Sequence, residues 1–247
     1  MPTTSQDSSI AALLRDDILR GQYRCGERLP SERDLAERFG VHRSTVREAF
    51  KRLEQLGVAR IAPGGARVAP LEEASLDVVG HLLALDDSPD PEIVDQTLEA
   101  ISGFRAMAAR LGTERADVAQ RARLLEILDA MTRPGVRSED YFELVTELGN
   151  CFVEASGNMV LRLMAHGLRL KRSHTRLGWN VFLDSPSRAQ VEVELARLTR
   201  AIAAADGALA SEAVYDLSRL FRQTLRERSL DSGRTATAQT PNGGDRS

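Results

Sequence analysis

Apolar residues recur at helical spacing in two early blocks, Ile10, Leu13, Leu14 and Ile18, then Val46, Ala49, Phe50, Leu53 and Leu56. This i, i+3, i+4, i+7 rhythm marks helices with one buried face. It predicts a helix over 9–20 ended by Gly21, a second over 31–38, and a third running from within 42–45 to Leu56, with Gly57 as its C′ residue. Ser31 followed by Asp34 is close to a capping box, and Phe39-Gly40-Val41 is a three-residue break between two helices. Two β-prone runs, Val58–Ile61 and Ala66–Val68, flank Pro63-Gly64-Gly65 and predict a hairpin.

Helical spacing returns after Pro70 and no later strand is expected. The predicted segments are 71–85, a long helix from about 91 to Leu111 ended by Gly112, then 113–131, 138–155, 159–177, 187–205 and 207–228, with a loop at 178–186. Residues 1–8 and 231–247 are polar and are expected to be disordered. The fold class is mainly α: a winged helix-turn-helix at 9–70 with a small β-hairpin wing, then an all-α helical bundle at 71–230.

Charge supports two parts. The 247 residues carry a net charge of −3, but residues 1–70 hold 12 Lys+Arg against 9 Asp+Glu, and the remainder 21 against 27. Positive charge gathers where phosphate would lie. Cys25 and Cys151 form no disulfide framework or metal motif, residues 1–9 lack an apolar signal core, and no apolar run is long enough to span a bilayer. A soluble, cytoplasmic protein is expected.

The face of the third helix opposite its apolar stripe begins His42, Arg43, Ser44, Thr45, Arg47. A recognition helix presents its N-terminal residues to base edges: arginine can fork onto guanine O6 and N7, hydroxyls reach phosphates or bases, and the helix N-terminus attracts phosphate. Arg33 on the preceding helix would face the backbone. Arg38 and Arg52, taken singly, fit ordinary solvated decoration. Arg60 and Arg67 on the hairpin, with Gly64 and Gly65 at its tip, suit a wing that approaches a phosphate or the minor groove.

Residues 10–69 resemble the winged-helix domain of the GntR family of bacterial transcription regulators. The resemblance rests on Ile18-Leu19-Arg20-Gly21, Gly26, Leu29-Pro30-Ser31-Glu32-Arg33-Asp34-Leu35-Ala36, Thr45-Val46-Arg47-Glu48-Ala49 and the Gly-Gly wing. It implies operator contacts at Arg33, Arg43, Ser44, Thr45, Arg47 and Gly64. His42 stands where a small hydroxyl residue is usual, and Pro63 where a polar one is common.

The helical effector domains of this family come with and without a metal. The resemblance places the ligand positions of the metal version on Val145, Gly149, Leu195 and Phe221 or Arg222, so no metal is expected. His42, His81, His166 and His174 stand elsewhere, and the last two, eight residues apart, diverge by about 80° around a helix. The metal-free branch, the fatty-acid-metabolism regulator (FadR) type, is similar through Ala155-Ser156-Gly157-Asn158, Thr175-Arg176-Leu177-Gly178, Phe182, Pro186, Arg188 and Val214-Tyr215. That resemblance implies a long-chain acyl-CoA effector, although Arg222 and Leu225 replace a Gly and a Ser. Candidate effector contacts are Phe104, Arg105, Phe152, Trp179, Phe221 and Arg222. Core packing is the competing reading for the phenylalanines, and a solvated face for Arg222.

The leading function is a homodimeric regulator of a palindromic operator, controlled by an acyl-CoA or a different effector such as a small organic acid. A non-enzymatic helical interaction module is the alternative. No cofactor is expected, and no phosphate loop, Gly-x-Ser-x-Gly, His-Glu-x-x-His or paired-Cys motif supports an enzyme.

Overall fold

The computed structural model describes residues 3–86, 90–167 and 188–238, which divide into two compact units, Met1–Pro89 and Asp90–Ser247. In the first, α1 (Thr3–Leu19), α2 (Glu32–Phe39) and α3 (Arg43–Gln55) precede strands β1 (Ala59–Ala62) and β2 (Gly65–Val68), a 3-10 turn over Leu71–Glu73 and α4 (Asp77–Leu82). Ser31 Oγ accepts from Asp34 N at 3.2 Å and caps α2. Gly40 ends that helix in the left-handed region at φ 64°, its N–H directed to carbonyls of the last turn. One core joins Leu14, Leu35, Val46, Ala49, Phe50 and Leu53 to Val58 and Val68.

The hairpin is antiparallel, with Ala59 opposite Val68 and Ala62 opposite Gly65. Its turn is therefore Pro63-Gly64, with proline preceding a glycine at φ 103° as in a type II turn. Gly65, expected at the tip, instead starts β2.

Two boundaries in this unit differ from the expectations above. Helix α1 begins at Thr3, within the stretch expected to be disordered. Residues 71–86, assigned from sequence to the second domain, pack with the first: Val78 is in its core and Ala74 and Leu82 lie against it. Ser75 N bonds Leu56 O at 2.9 Å, and Arg20, just past the end of α1, donates from Nη2 to Leu85 O at 2.5 Å. Gly57 makes the close approach possible, because at φ 72° it lies where a Cβ would stand 2.7 Å from Glu73 O. Residues 71–89 add five carboxylates and no Lys or Arg, so residues 1–89 carry 12 basic against 14 acidic residues. The positive balance expected for the first part therefore does not hold for this whole unit.

The second unit is helical throughout its described residues: α5 (Pro91–Arg115), α6 (Val118–Thr132), α7 (Ser138–Ala155), α8 (Met159–Gly167), α9 (Arg188–Ala203) and α10 (Gly207–Ala238). Asp90 caps α5 by accepting from Glu92 N at 2.9 Å, and Asp117 and Gln120 form a capping box on α6. Leu124, Ile127, Leu128, Phe152, Leu195, Leu198, Ile202 and Phe221 build the core. Gly112, expected to stop α5, lies inside it. A Cβ there would meet Phe152 O at 2.5 Å, so this glycine lets α5 and α7 touch backbone to backbone. Helix α10 runs on to Ala238, past the expected start of disorder at Asp231.

Candidate DNA interface and effector domain

The hydrogen bond at Ser31 fixes the start of α2, and the Gly40 turn delivers His42 as the N-cap of α3 in extended backbone with no side-chain capping bond. Arg33, His42, Arg43, Ser44 and Arg47 are all exposed, so two adjoining helix N-termini carry three arginines and one hydroxyl on their solvent face. Thr45 is the correction. It is only 5% exposed, because position 45 turns toward the core beside Val46, and its hydroxyl is not presented to solvent as expected.

Arg47 donates from Nε to Glu32 Oε1 at 3.0 Å and from Nη2 to Oε2 at 2.9 Å. That hydrogen-bonded guanidinium, and the charges of Arg47 and Arg43, hold the Glu32 carboxyl below its usual range against a smaller opposing effect of burial. Arg33 lies 3.5 Å from Asp34 and is otherwise solvated. On the wing Gly64 is exposed, while Gly65 backs onto the guanidinium of Arg28. Arg67 donates from Nη1 to Gly26 O at 3.0 Å, and Arg60 pairs with Glu73. Sequence reasoning missed Glu32 and Arg28, whose partners lie 15 and 37 residues away along the chain.

In the bundle, Phe152 and Phe221 are core residues and Phe104 packs against that core, as the core-packing reading held. Arg222 is neither free for a ligand nor solvated: it bonds the Asp95 carboxylate at 3.2 and 3.0 Å and lies 3.3 Å from Glu99. Among the half-buried arginines described in this unit, Arg121, Arg188, Arg197 and Arg222 each have a hydrogen-bond partner. Arg105 is half-buried with no hydrogen bond or ion pair to a described residue, and burial pulls its pKa down. Trp179, Phe182 and His174 lie outside the described residues.

The Ala155-Ser156-Gly157-Asn158 stretch is a turn. Ser156 Oγ donates to Val153 O at 2.6 Å, Gly157 takes φ 60°, and Asn158 Oδ1 caps α8 by accepting from Val160 N at 2.9 Å. The positions implied for metal ligands do not fit a cation: Leu195 and Phe221 are core, Val145 packs against it, and Gly149 has no side chain. Among the described residues no helix is long and apolar enough to cross a membrane.

A capped helix-turn-helix with arginines on the exposed face of its second helix, a two-stranded wing and a separate helical bundle define a winged-helix DNA-binding regulator. Residues 6–68 match the family described as bacterial regulatory proteins, gntR family, and residues 97–219 match the FCD domain. The chain belongs to the GntR family, whose helix-turn-helix proteins are transcription regulators and not enzymes. It is 29% identical over 214 residues to the HTH-type transcriptional regulator Mce2R of Mycobacterium tuberculosis, spanning 85% of this chain and 87% of that protein. It is 28% identical over 177 residues to the fatty acid metabolism regulator protein of Escherichia coli O1:K1, spanning 70% and 71%. The fold is shared with the solved Listeria monocytogenes regulator Lar at TM-score 0.54 and 19% identity, covering 90% of this chain and 96% of that one.

Proposed function

We propose that this regulator acts in the cytoplasm as a homodimer on a palindromic operator and that a long-chain fatty acyl-CoA, bound in the bundle, changes its DNA affinity. The observation that carries the effector reading is the likeness, across 70% of the chain, to a fatty acid metabolism regulator. The apolar side chains at the positions of the family's metal ligands agree with it. Two half-sites follow from geometry, because a single recognition helix reads only a few base pairs. His42, Arg43, Ser44 and Arg47, with Arg33 and Gly64, form the proposed contact surface.

Arg105 favours a ligand with an anionic group, since a half-buried guanidinium without a counter-charge is costly until an anion meets it. That holds for an acyl-CoA phosphate and equally for a small organic acid, which stands as the second reading. The test is a thermal-shift series with acyl-CoAs of several chain lengths beside short carboxylic acids. Ligand at ~100 times its dissociation constant stabilises the fold by roughly 2.7 kcal/mol. A shift with long acyl-CoAs and a change in operator affinity are expected. A shift with short acids only would transfer the effector role to them.

A further inference from the structure

Glu32 is the first residue of α2, and Arg47 is the fifth of α3. Their two hydrogen bonds use one edge of the guanidinium, Nε and Nη2. Guanidinium is planar with five donors, so the second edge, made by Nη1 and the remaining Nη2 hydrogen, is still available. The pair is on the surface, with the Arg47 side chain 61% exposed and the Glu32 side chain 32%. Glu32 also sits at a helix N-terminus, where a carboxylate is favoured, so it is an anchored partner.

We propose that Glu32 is a specificity-determining positioning residue: it clamps one edge of Arg47 so that the other edge reads a guanine in the major groove. Two physical arguments support this, and both rest on the DNA-contact surface proposed above. First, a carboxylate beside the guanidinium cancels much of its charge, which weakens attraction to phosphate but leaves the donor pattern that matches guanine O6 and N7. Second, arginine carries high rotamer entropy, and a fork fixed before DNA arrives loses less on binding. Arg43 is the contrast, one turn earlier on α3: exposed and without a hydrogen bond to a described residue, it keeps its full charge for the backbone.

The test uses the full chain. Wild type, Glu32→Gln, Arg47→Ala and Arg47→Lys are each used to select sequences from a randomised DNA duplex pool, and affinities are then measured on the enriched duplex and on copies changed one base pair at a time. Arg47→Lys keeps a charge but cannot form two forks. The expected result is that all three variants lose preference for the same single base pair by roughly tenfold or more, while Glu32→Gln binds scrambled duplex as well as wild type or better. Loss of charge alone would raise affinity for every sequence and leave the preference intact. A Glu32→Gln protein that keeps the wild-type preference at every position overturns the proposal. So does one that sharpens it, since Glu32 would then be withholding Arg47 from DNA. A wild-type chain that enriches no sequence would overturn the contact surface itself, and the proposal with it.

Discussion

Asp95 in α5 accepts two hydrogen bonds from the Arg222 guanidinium of α10, Nε to Oδ1 at 3.2 Å and Nη2 to Oδ2 at 3.0 Å, across 127 residues of sequence. Arg226 adds two more, Nε to Oδ1 at 2.8 Å and Nη2 to Oδ2 at 2.5 Å. Hydrogen bonds from Arg226 and Arg222 lower the Asp95 pKa from 3.8 to about 2. A carboxylate whose folded pKa is depressed stabilises the fold above its unfolded pKa and loses that contribution as pH falls toward the folded one. The loss therefore falls between about pH 4.5 and pH 2. At roughly 1.4 kcal/mol per unit, and discounted because the Arg226 side chain is 61% exposed, the pair is worth about 1–2 kcal/mol. Asp95→Asn is expected to lower bundle stability by that amount at pH 7 and to flatten the acid limb of a stability–pH curve measured by chemical denaturation.

Gly112→Ala tests the contact of α5 with the backbone of Phe152. Alanine in an exposed helix interior ordinarily gains stability over glycine by about 1 kcal/mol. Here the added methyl would sit 2.5 Å from Phe152 O, so a loss of about 1–3 kcal/mol is expected from overpacking. Urea denaturation reads the sign directly. Gly57→Ala should likewise destabilise the first unit, through both its positive φ and the approach to Glu73.

These two glycines show what was legible from sequence. A glycine at the end of an apolar helical run reads as a stop, and Gly57 is one; Gly112 has the same local signature but serves a partner 40 residues away. The helix-turn-helix was legible because its core is local, with Leu35, Ala36, Val46, Ala49 and Phe50 spaced within two turns of one break. Thr45 was misplaced because the first turn of α3 is crowded against the core, a feature that residue type does not reveal. Leu76, Val79 and Leu82 announced a helix without saying which core it would join. Glu32 carried no local signal at all, since its meaning comes only from Arg47 on the next helix.

Chelation should change nothing. With Val145, Gly149, Leu195 and Phe221 at the positions implied for ligands, EDTA is expected to leave both melting temperature and DNA affinity within error. Elemental analysis of untagged protein showing a stoichiometric transition metal would contradict this.

Arg43→Ala is expected to weaken binding of all duplexes about equally and to reduce the salt slope by about one, as for a lost phosphate contact. Arg47→Ala should instead cost about 1–3 kcal/mol on the enriched duplex and little on scrambled DNA. Both side chains are on the surface, so melting temperatures should stay near wild type.

Salt-titrated fluorescence anisotropy of the full chain on its enriched duplex, with and without long-chain acyl-CoA, tests the regulator account most directly. The account predicts two chains per palindromic duplex, log affinity falling steeply and linearly with log salt, and a displaced curve when acyl-CoA is present. Affinity that is indifferent to salt and no stronger for the enriched duplex than for scrambled DNA would contradict it.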